Sequence, residues 1–356
     1  MMSKKKLCAP LLGATISLFV SSAVIAHHGP VTNPALYEAD GLTEVEGVIT
    51  DVFWQNPHPR FRVRVRDESN QEVTWELELG GSPISWGRQS LGAEDFPAEG
   101  DNVRAAGYLS RRDEYSMGVL HMLFPSGVEL VNGNRELRWS DVRLTGTGQQ
   151  LDSARVAAAE SVARSIFRVW YRDADGTGAH PPPSDYTPML TERGRALAST
   201  YDPVTQNPEL ECRQGMPGTM FDPVPMHIVD EGDRILIRVQ EYDVERIVNM
   251  STDAASPGTE RTPLGYSVGR WDGDTLVVDT TQVDFPYIDP YGTPQSDQAT
   301  YHETFTLAET GDVLNYALTV TDPEMFVEPV TLERPREWTH GVELVPFNCI
   351  SEWAEG

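Results

Sequence analysis

The sequence predicts an all-β protein, a small OB-like barrel followed by a larger antiparallel up-and-down (lipocalin-like) barrel, with one or two short helices. Three observations carry that expectation. Apolar and charged residues alternate with period two between Leu42 and Val131, the pattern of half-buried strands. Beyond Cys212 a second series of strand-like segments is punctuated by turn signals such as Asp272-Gly273. Between the two runs lies a polar, Gly-rich stretch, Thr145-Gly146-Thr147-Gly148-Gln149-Gln150, which reads as linker. The expected divisions are therefore a leader over 1–26, a small barrel over 27–138, a linker over 139–151 and a larger barrel over 152–356.

Taken in order, the chain opens with Lys4, Lys5 and Lys6, then an apolar run from Leu7 to Val20, then Ala23-Val24-Ile25-Ala26. That order reads as a secretory signal peptide cut after Ala26, too short and wrongly flanked for a membrane span. The mature chain would begin at His27. Phe61, Val63 and Val65 alternate with Arg62, Arg64 and Arg66, while Val73, Trp75, Leu77 and Leu79 alternate with Thr74, Glu76 and Glu78. If those segments pair, an arginine face meets a glutamate face. Gly80-Gly81-Ser82-Pro83 breaks the pattern, a short helical piece follows over Ile84 to Leu91, and Pro97 to Asp101 turns into a strand through Val103 and Ala105. So many short strands suit a barrel of the OB type.

Past the linker, Asp152 or Ser153 caps a helix carrying Val156, Ala159, Val162 and Ala163. Ser165 to Tyr171 reads equally as more helix or as a strand. Asp173 to Pro188 is loop, and Thr191 caps a second short helix to Thr200. The expected strands are then Arg234 to Glu241, Gly265 to Trp271 turning into Asp274 to Thr281, Tyr301 to Leu307 turning into Val313 to Thr321, and Val327 to Trp338. Barrels of about eight strands can hold one small ligand.

Composition narrows the function. The chain carries 28 basic and 54 acidic residues, a formal charge of −26, and no lysine follows Lys6. Such a surface repels nucleic acid and anionic lipid, so neither is an expected partner. A periplasmic or secreted location is expected, with no stable membrane anchor after cleavage. Cys8 falls in the leader, leaving Cys212 and Cys349. An even count in an exported chain favours one disulfide, worth roughly 4 to 5 kcal/mol on the chain-entropy argument. Free thiols or a thiolate metal site are disfavoured because no C-x-x-C spacing exists.

The sharpest chemical clue is an N-terminal His27, whose free amine and imidazole can close a chelate on one metal ion. Copper(II) favours tetragonal nitrogen ligation, and a further imidazole would complete three nitrogens in a plane. His28 is a candidate, and His58, bracketed by Pro57 and Pro59 in Trp54-Gln55-Asn56-Pro57-His58-Pro59, is the better one. Zinc fits three nitrogens and water as well. His121 with Met122, and Met216, Met220 and Met226 with His227, offer further donors but read more simply as strand and packing residues. A second candidate site, for a small ligand, gathers Glu241, Tyr242, Arg246 and Arg270 with Asp274 and Asp279; the plainer reading pairs Arg270 with Asp274 across a hairpin. Ser267 lacks a nucleophile elbow, and neither a phosphate loop nor a zinc-protease motif occurs.

Two sets of motifs resemble known families. His27-His28-Gly29, Gly47-Val48-Ile49, Trp54-Gln55-Asn56-Pro57-His58, Trp75-Glu76-Leu77-Glu78 and Gly100-Asp101 resemble an uncharacterised family of small exported proteobacterial proteins. Leu190-Thr191, Asp202-Pro203, Cys212, the run Gly265-Tyr266-Ser267-Val268-Gly269-Arg270-Trp271-Asp272-Gly273-Asp274-Thr275-Leu276-Val277-Val278, Thr321-Asp322-Pro323 and Cys349 resemble a second uncharacterised exported domain often joined to the first. After Arg246-Ile247 the resemblance implies an aspartate-glycine turn with a nearby histidine, and Val248-Asn249-Met250-Ser251-Thr252 has neither. The resemblance implies architecture and export, with no activity attached. The leading expectation is an exported binding protein with copper at the mature N-terminus. A copper-dependent oxidoreductase is the rival, and a lipocalin-like carrier of a small apolar ligand, or an envelope protein without metal, is the third. The residues leave open whether the chain is an enzyme.

Overall fold

Alternating strands become two closed β-structures in the computed structural model, which describes residues 36–67, 69–148, 153–160, 165–173, 181, 183–251 and 260–350. Residues 1–26, expected as a leader, and His27 and His28 lie outside the described residues. The first structure uses β1 (Tyr37–Phe53), β2 (Arg60–Arg66), β3 (Glu72–Glu78), β4 (Asn102–Ser110) and β5 (Ser116–Leu123). They pair in the ring β1-β2-β3-β5-β4-β1, closed by a parallel match of Glu76–Glu78 with Ser116–Gly118. That connectivity is the OB-like barrel expected. Phe61, Val63, Leu77, Ala105, Met117 and Met122 fill its centre. Burying one set of alternate residues puts the other set on the opposite face, where β2 and β3 meet as Arg60↔Glu78, Arg62↔Glu76 and Arg66↔Glu72, the first pair itself buried. Gly107 lets β4 and β5 close, since a Cβ there would sit 2.1 Å from the Gly118 carbonyl oxygen.

Two short strands extend this sheet, β6 (Val128–Val131) and β7 (Val142–Arg143). β7 lies inside the stretch read as linker. Its partner is held by buried Glu129, which accepts from the Arg138, Trp139 and Ser140 amides. The first structure thus runs past residue 138.

The second structure is a closed barrel of nine strands: β8 (Val169–Asp173), β9 (Met226–Asp230), β10 (Arg234–Val239), β11 (Val244–Asn249), β12 (Tyr266–Asp272), β13 (Thr275–Thr281), β14 (Thr300–Leu307), β15 (Val313–Thr321) and β16 (Val330–Trp338). Each strand pairs with its sequence neighbours and β16 returns to β8. An odd ring cannot alternate direction throughout, so one pair must run parallel. That seam is β11 with β12, matched only at Val248↔Ser267 and Asn249↔Val268. The meander expected near eight strands is therefore nine, with Val169–Asp173, one of the two ways Ser165 to Tyr171 could be read, as a strand.

Helices are short: α1 (Pro83–Gly87), α2 (Ser153–Glu160), α3 (Glu192–Ala198) and α4 (Pro203–Gln206). Thr191 caps α3 through the Gly194 amide, as expected. The count exceeds one or two because α1 and α4 each start at a proline after a capping Ser82 or Asp202. Among the described residues no helix is long and apolar enough to cross a membrane.

Candidate functional site

The Trp54–Pro59 loop joins β1 to β2 at the edge of the β2–β3 face, the region where OB barrels carry ligands. Trp54 packs on Phe96 at 4.6 Å, and Phe96 meets Trp86 at 5.4 Å, which gives the loop an aromatic floor. His58 rides above it with its side chain 21% exposed. Its Nδ1 lies 3.3 Å from Oε1 of Glu78 at the end of β3. Glu78 is 1% exposed, and its Oε2 accepts from the Tyr37 hydroxyl at 2.5 Å and from Arg112 Nη2 at 2.9 Å. Arg112 comes from the loop between β4 and β5 and also donates to the Tyr37 oxygen at 2.9 Å. Four segments far apart in sequence therefore meet at one carboxylate.

Burial pushes the His58 imidazole down to about 4, with Arg112 and Arg60 adding to the shift and Glu78 opposing it. Burial works to raise the Glu78 carboxyl, but Arg112, His58 and the Tyr37 hydroxyl outweigh it and hold the group below the usual range. At neutral pH the pair is a neutral ring beside a charged carboxylate. The ring's proton belongs on Nδ1, facing Glu78, which leaves the Nε2 lone pair for an incoming group. His58 Nδ1 and Glu78 Oε1 are both buried without a well-angled hydrogen bond, as are Gln55 Nε2 and Asn56 Oδ1 in the same loop. Among the described residues no group of three or more His, Cys, Asp or Glu is arranged to hold a metal ion.

Of the other histidine and methionine candidates, His227 stands partly buried on β9. His121 Nδ1 contacts buried Glu129 at 2.8 Å, and Met122, Met216, Met220 and Met226 are core residues.

The second candidate set is not brought together. Arg246 points into the barrel at 1% exposure, donating to Glu303 Oε1 at 2.8 Å, to Thr280 at 2.7 Å and to Ser267 at 3.0 Å, while Tyr316 donates to Glu303 at 2.7 Å. Burial works against the Arg246 charge, and Glu303 holds it in place. Arg270 points outward and pairs with Asp279 at 2.5 Å, beside His302 at 2.7 Å from the same carboxylate. It does not pair with Asp274, because Arg270 faces Val277 in the ladder and its side chain leans on toward Asp279. Glu241 and Tyr242 lie in a tight turn between β10 and β11, where burial, then Asp222 and Glu209, push the Glu241 carboxyl well up. Arg246 on β11 is buried, Arg270 on β12 is exposed, and Glu241 and Tyr242 lie in the turn before β11, so these residues do not share one face. The inward positions of this barrel are filled by Trp170, Phe305, Tyr316 and neighbours, with Met216, Met220 and Phe221 packed against them.

Cys212 and Cys349 lie at disulfide distance, with Cα atoms 5.9 Å apart. Their pairing carries the final segment back beside the Trp54–Pro59 loop.

Sequence reasoning found His58 and missed its partners. Glu78 was legible as the last residue of Trp75-Glu76-Leu77-Glu78, facing the same side as Arg60. Tyr37 and Arg112 gave no signal, since only the fold brings them to Glu78.

A search of curated proteins finds no match to the chain. Residues 16–119 match a family described as a family of unknown function, DUF6152, and this stretch contains Tyr37, His58, Glu78 and Arg112.

Proposed function

We propose that the chain is an exported metal-binding protein whose centre is built from His58 and the mature N-terminus, with copper the metal it suits best. The observation that carries this reading is His58 itself: a neutral, partly buried imidazole whose Nδ1 faces a buried carboxylate oxygen at 3.3 Å, close to the arrangement that orients a metal-ligating histidine. Cleavage after Ala26 would give His27 a free amine and imidazole, and with His58 Nε2 these supply three nitrogens. His28 stands nine residues before Tyr37, whose hydroxyl already touches Glu78. An extended chain covers up to about 3.3 to 3.6 Å per residue, so His27 and His28 have ample reach.

The test is copper(II) titration of correctly processed protein with electron paramagnetic resonance, beside a variant carrying one extra residue before His27. Tight, one-to-one, nitrogen-rich binding that the extension abolishes supports the reading. Weak binding indifferent to the extension sinks it.

One observation favours a second reading, a copper-dependent oxidoreductase. An open cleft of about 660 Å³ is lined by Arg111, the residue before Arg112, together with Tyr201, Asp202 and Tyr291. On this reading it would receive a small-molecule substrate. Oxygen-dependent turnover by the copper-loaded protein separates this reading from a binding role.

A further inference from the structure

The end of the described chain makes contacts that bear directly on the His58 loop. Asn56, 8% exposed, donates through Nδ2 to the Phe347 carbonyl, and its own carbonyl accepts from the Ile350 amide at 3.1 Å. Between those contacts sits Cys349, joined to Cys212. On the opposite side, the Phe347 and Asn348 amides donate to the two Asp243 oxygens at 2.8 and 3.0 Å. The Val345 amide donates to Gln240 Oε1 at 3.3 Å, and the Phe347 ring meets Tyr242 at 5.3 Å. Residues 345–350 therefore form a strap, fixed to the nine-stranded barrel by Asp243 and the disulfide and to the first barrel by Asn56.

The loop has few other main-chain ties. Outside the strand ladders, the backbone bonds that reach residues 54–59 among the described residues are Leu79 to Pro59 and Ile350 to Asn56. Pro57 and Pro59 contribute no amide of their own.

We propose that Asn56 and the Cys212–Cys349 bond are positioning elements for His58: the strap sets the loop, and the disulfide sets the strap. This inference rests on the reading of His58 as a metal ligand. It makes the centre responsive to thiol chemistry. A dithiol reductant would deliver two electrons and two protons to the sulfur–sulfur bond, leaving Cys212 and Cys349 as thiols and itself as a disulfide. The strap would then lose its covalent anchor, and the loop its hold on His58.

The experiment compares full-length processed protein in its disulfide form, after dithiol reduction, as a C212S/C349S variant, and as Asn56→Ser with the disulfide intact. In metal-free protein, amide exchange across residues 55–60 is expected to quicken about tenfold or more in each altered form, with β13–β15 unchanged. With copper(II) added, the paramagnetic resonance spectrum is expected to shift and affinity to fall about tenfold. Unchanged loop exchange on reduction, or in Asn56→Ser, overturns the proposal, and so does a uniform acceleration through β13–β15. If C212S/C349S does not fold, reduction and Asn56→Ser decide alone. Quickened loop exchange in a protein that binds no copper in any form upholds the positioning role and sinks the metal reading.

Discussion

Glu78 organises three distant segments because a charge removed from water must be compensated where it stands. Arg112 and Tyr37 compensate one oxygen, and the other faces His58. Glu78→Gln should leave the fold in place and lower copper(II) affinity by about 10- to 100-fold, read by titration, because the amide no longer fixes the ring proton on Nδ1. His58→Ala should remove tight binding altogether. Arg246 answers the same rule inside the second barrel. Arg246→Met strands Glu303 without its partner and should cost about 3 to 5 kcal/mol by denaturant titration, whereas adding Glu303→Leu should recover most of that loss. His58 was legible because a histidine between prolines is conspicuous in a strand-to-strand connection. Arg246 was legible as a functional candidate and illegible as a structural one, since period two gives its side of the strand and not the Glu303 waiting 57 residues away.

Among the elements, the β11–β12 seam is matched at only two residue pairs, as few as the β8–β9 pairing. The buried side chains cross it: Arg246 on β11 holds Ser267 on β12 and reaches Thr280 on β13 and Glu303 on β14. Side-chain bonds thus carry the load that a two-residue ladder cannot. Amides of Ile247 to Asn249 should exchange faster than those of β14 and β15, and Arg246→Met should widen the gap, as hydrogen exchange would show. Strands beside strong turns were readable, because Asp272-Gly273 and Thr310-Gly311-Asp312 mark both edges. β9 and β11 were not, for β11 leaves a tight turn without a glycine and β9 follows a proline-rich loop. Ladder partners such as β8 and β16 are more than 150 residues apart, and no local pattern reports that pairing.

Across the whole molecule, acidity sets the response to pH. Burial and then Asp222 push the Glu209 carboxyl up to about 8, with Asp289 adding to it. The unfolded chain, near the ordinary value of 4.5, is ionised while the folded protein still holds the proton. The folded state therefore binds more protons across that window, and stability falls as pH rises through it. A shift this large corresponds to about 4 to 5 kcal/mol between pH of about 4.5 and 8. Glu209→Gln should flatten the decline, so that denaturant midpoints at pH 5 and pH 8 draw together.

The strap also imposes an order in time. Asn56 and Phe347 are 291 positions apart, so a chain synthesised from its N-terminus presents the His58 loop long before the segment that secures it. The first barrel has every strand it needs to close early, yet its loop stays unsecured until the last part of the second barrel has emerged and its thiols have been oxidised. If His58 is the metal ligand proposed above, metal loading would then report that synthesis and oxidation are both finished, and a truncated chain would be left with a folded first barrel and an unready site.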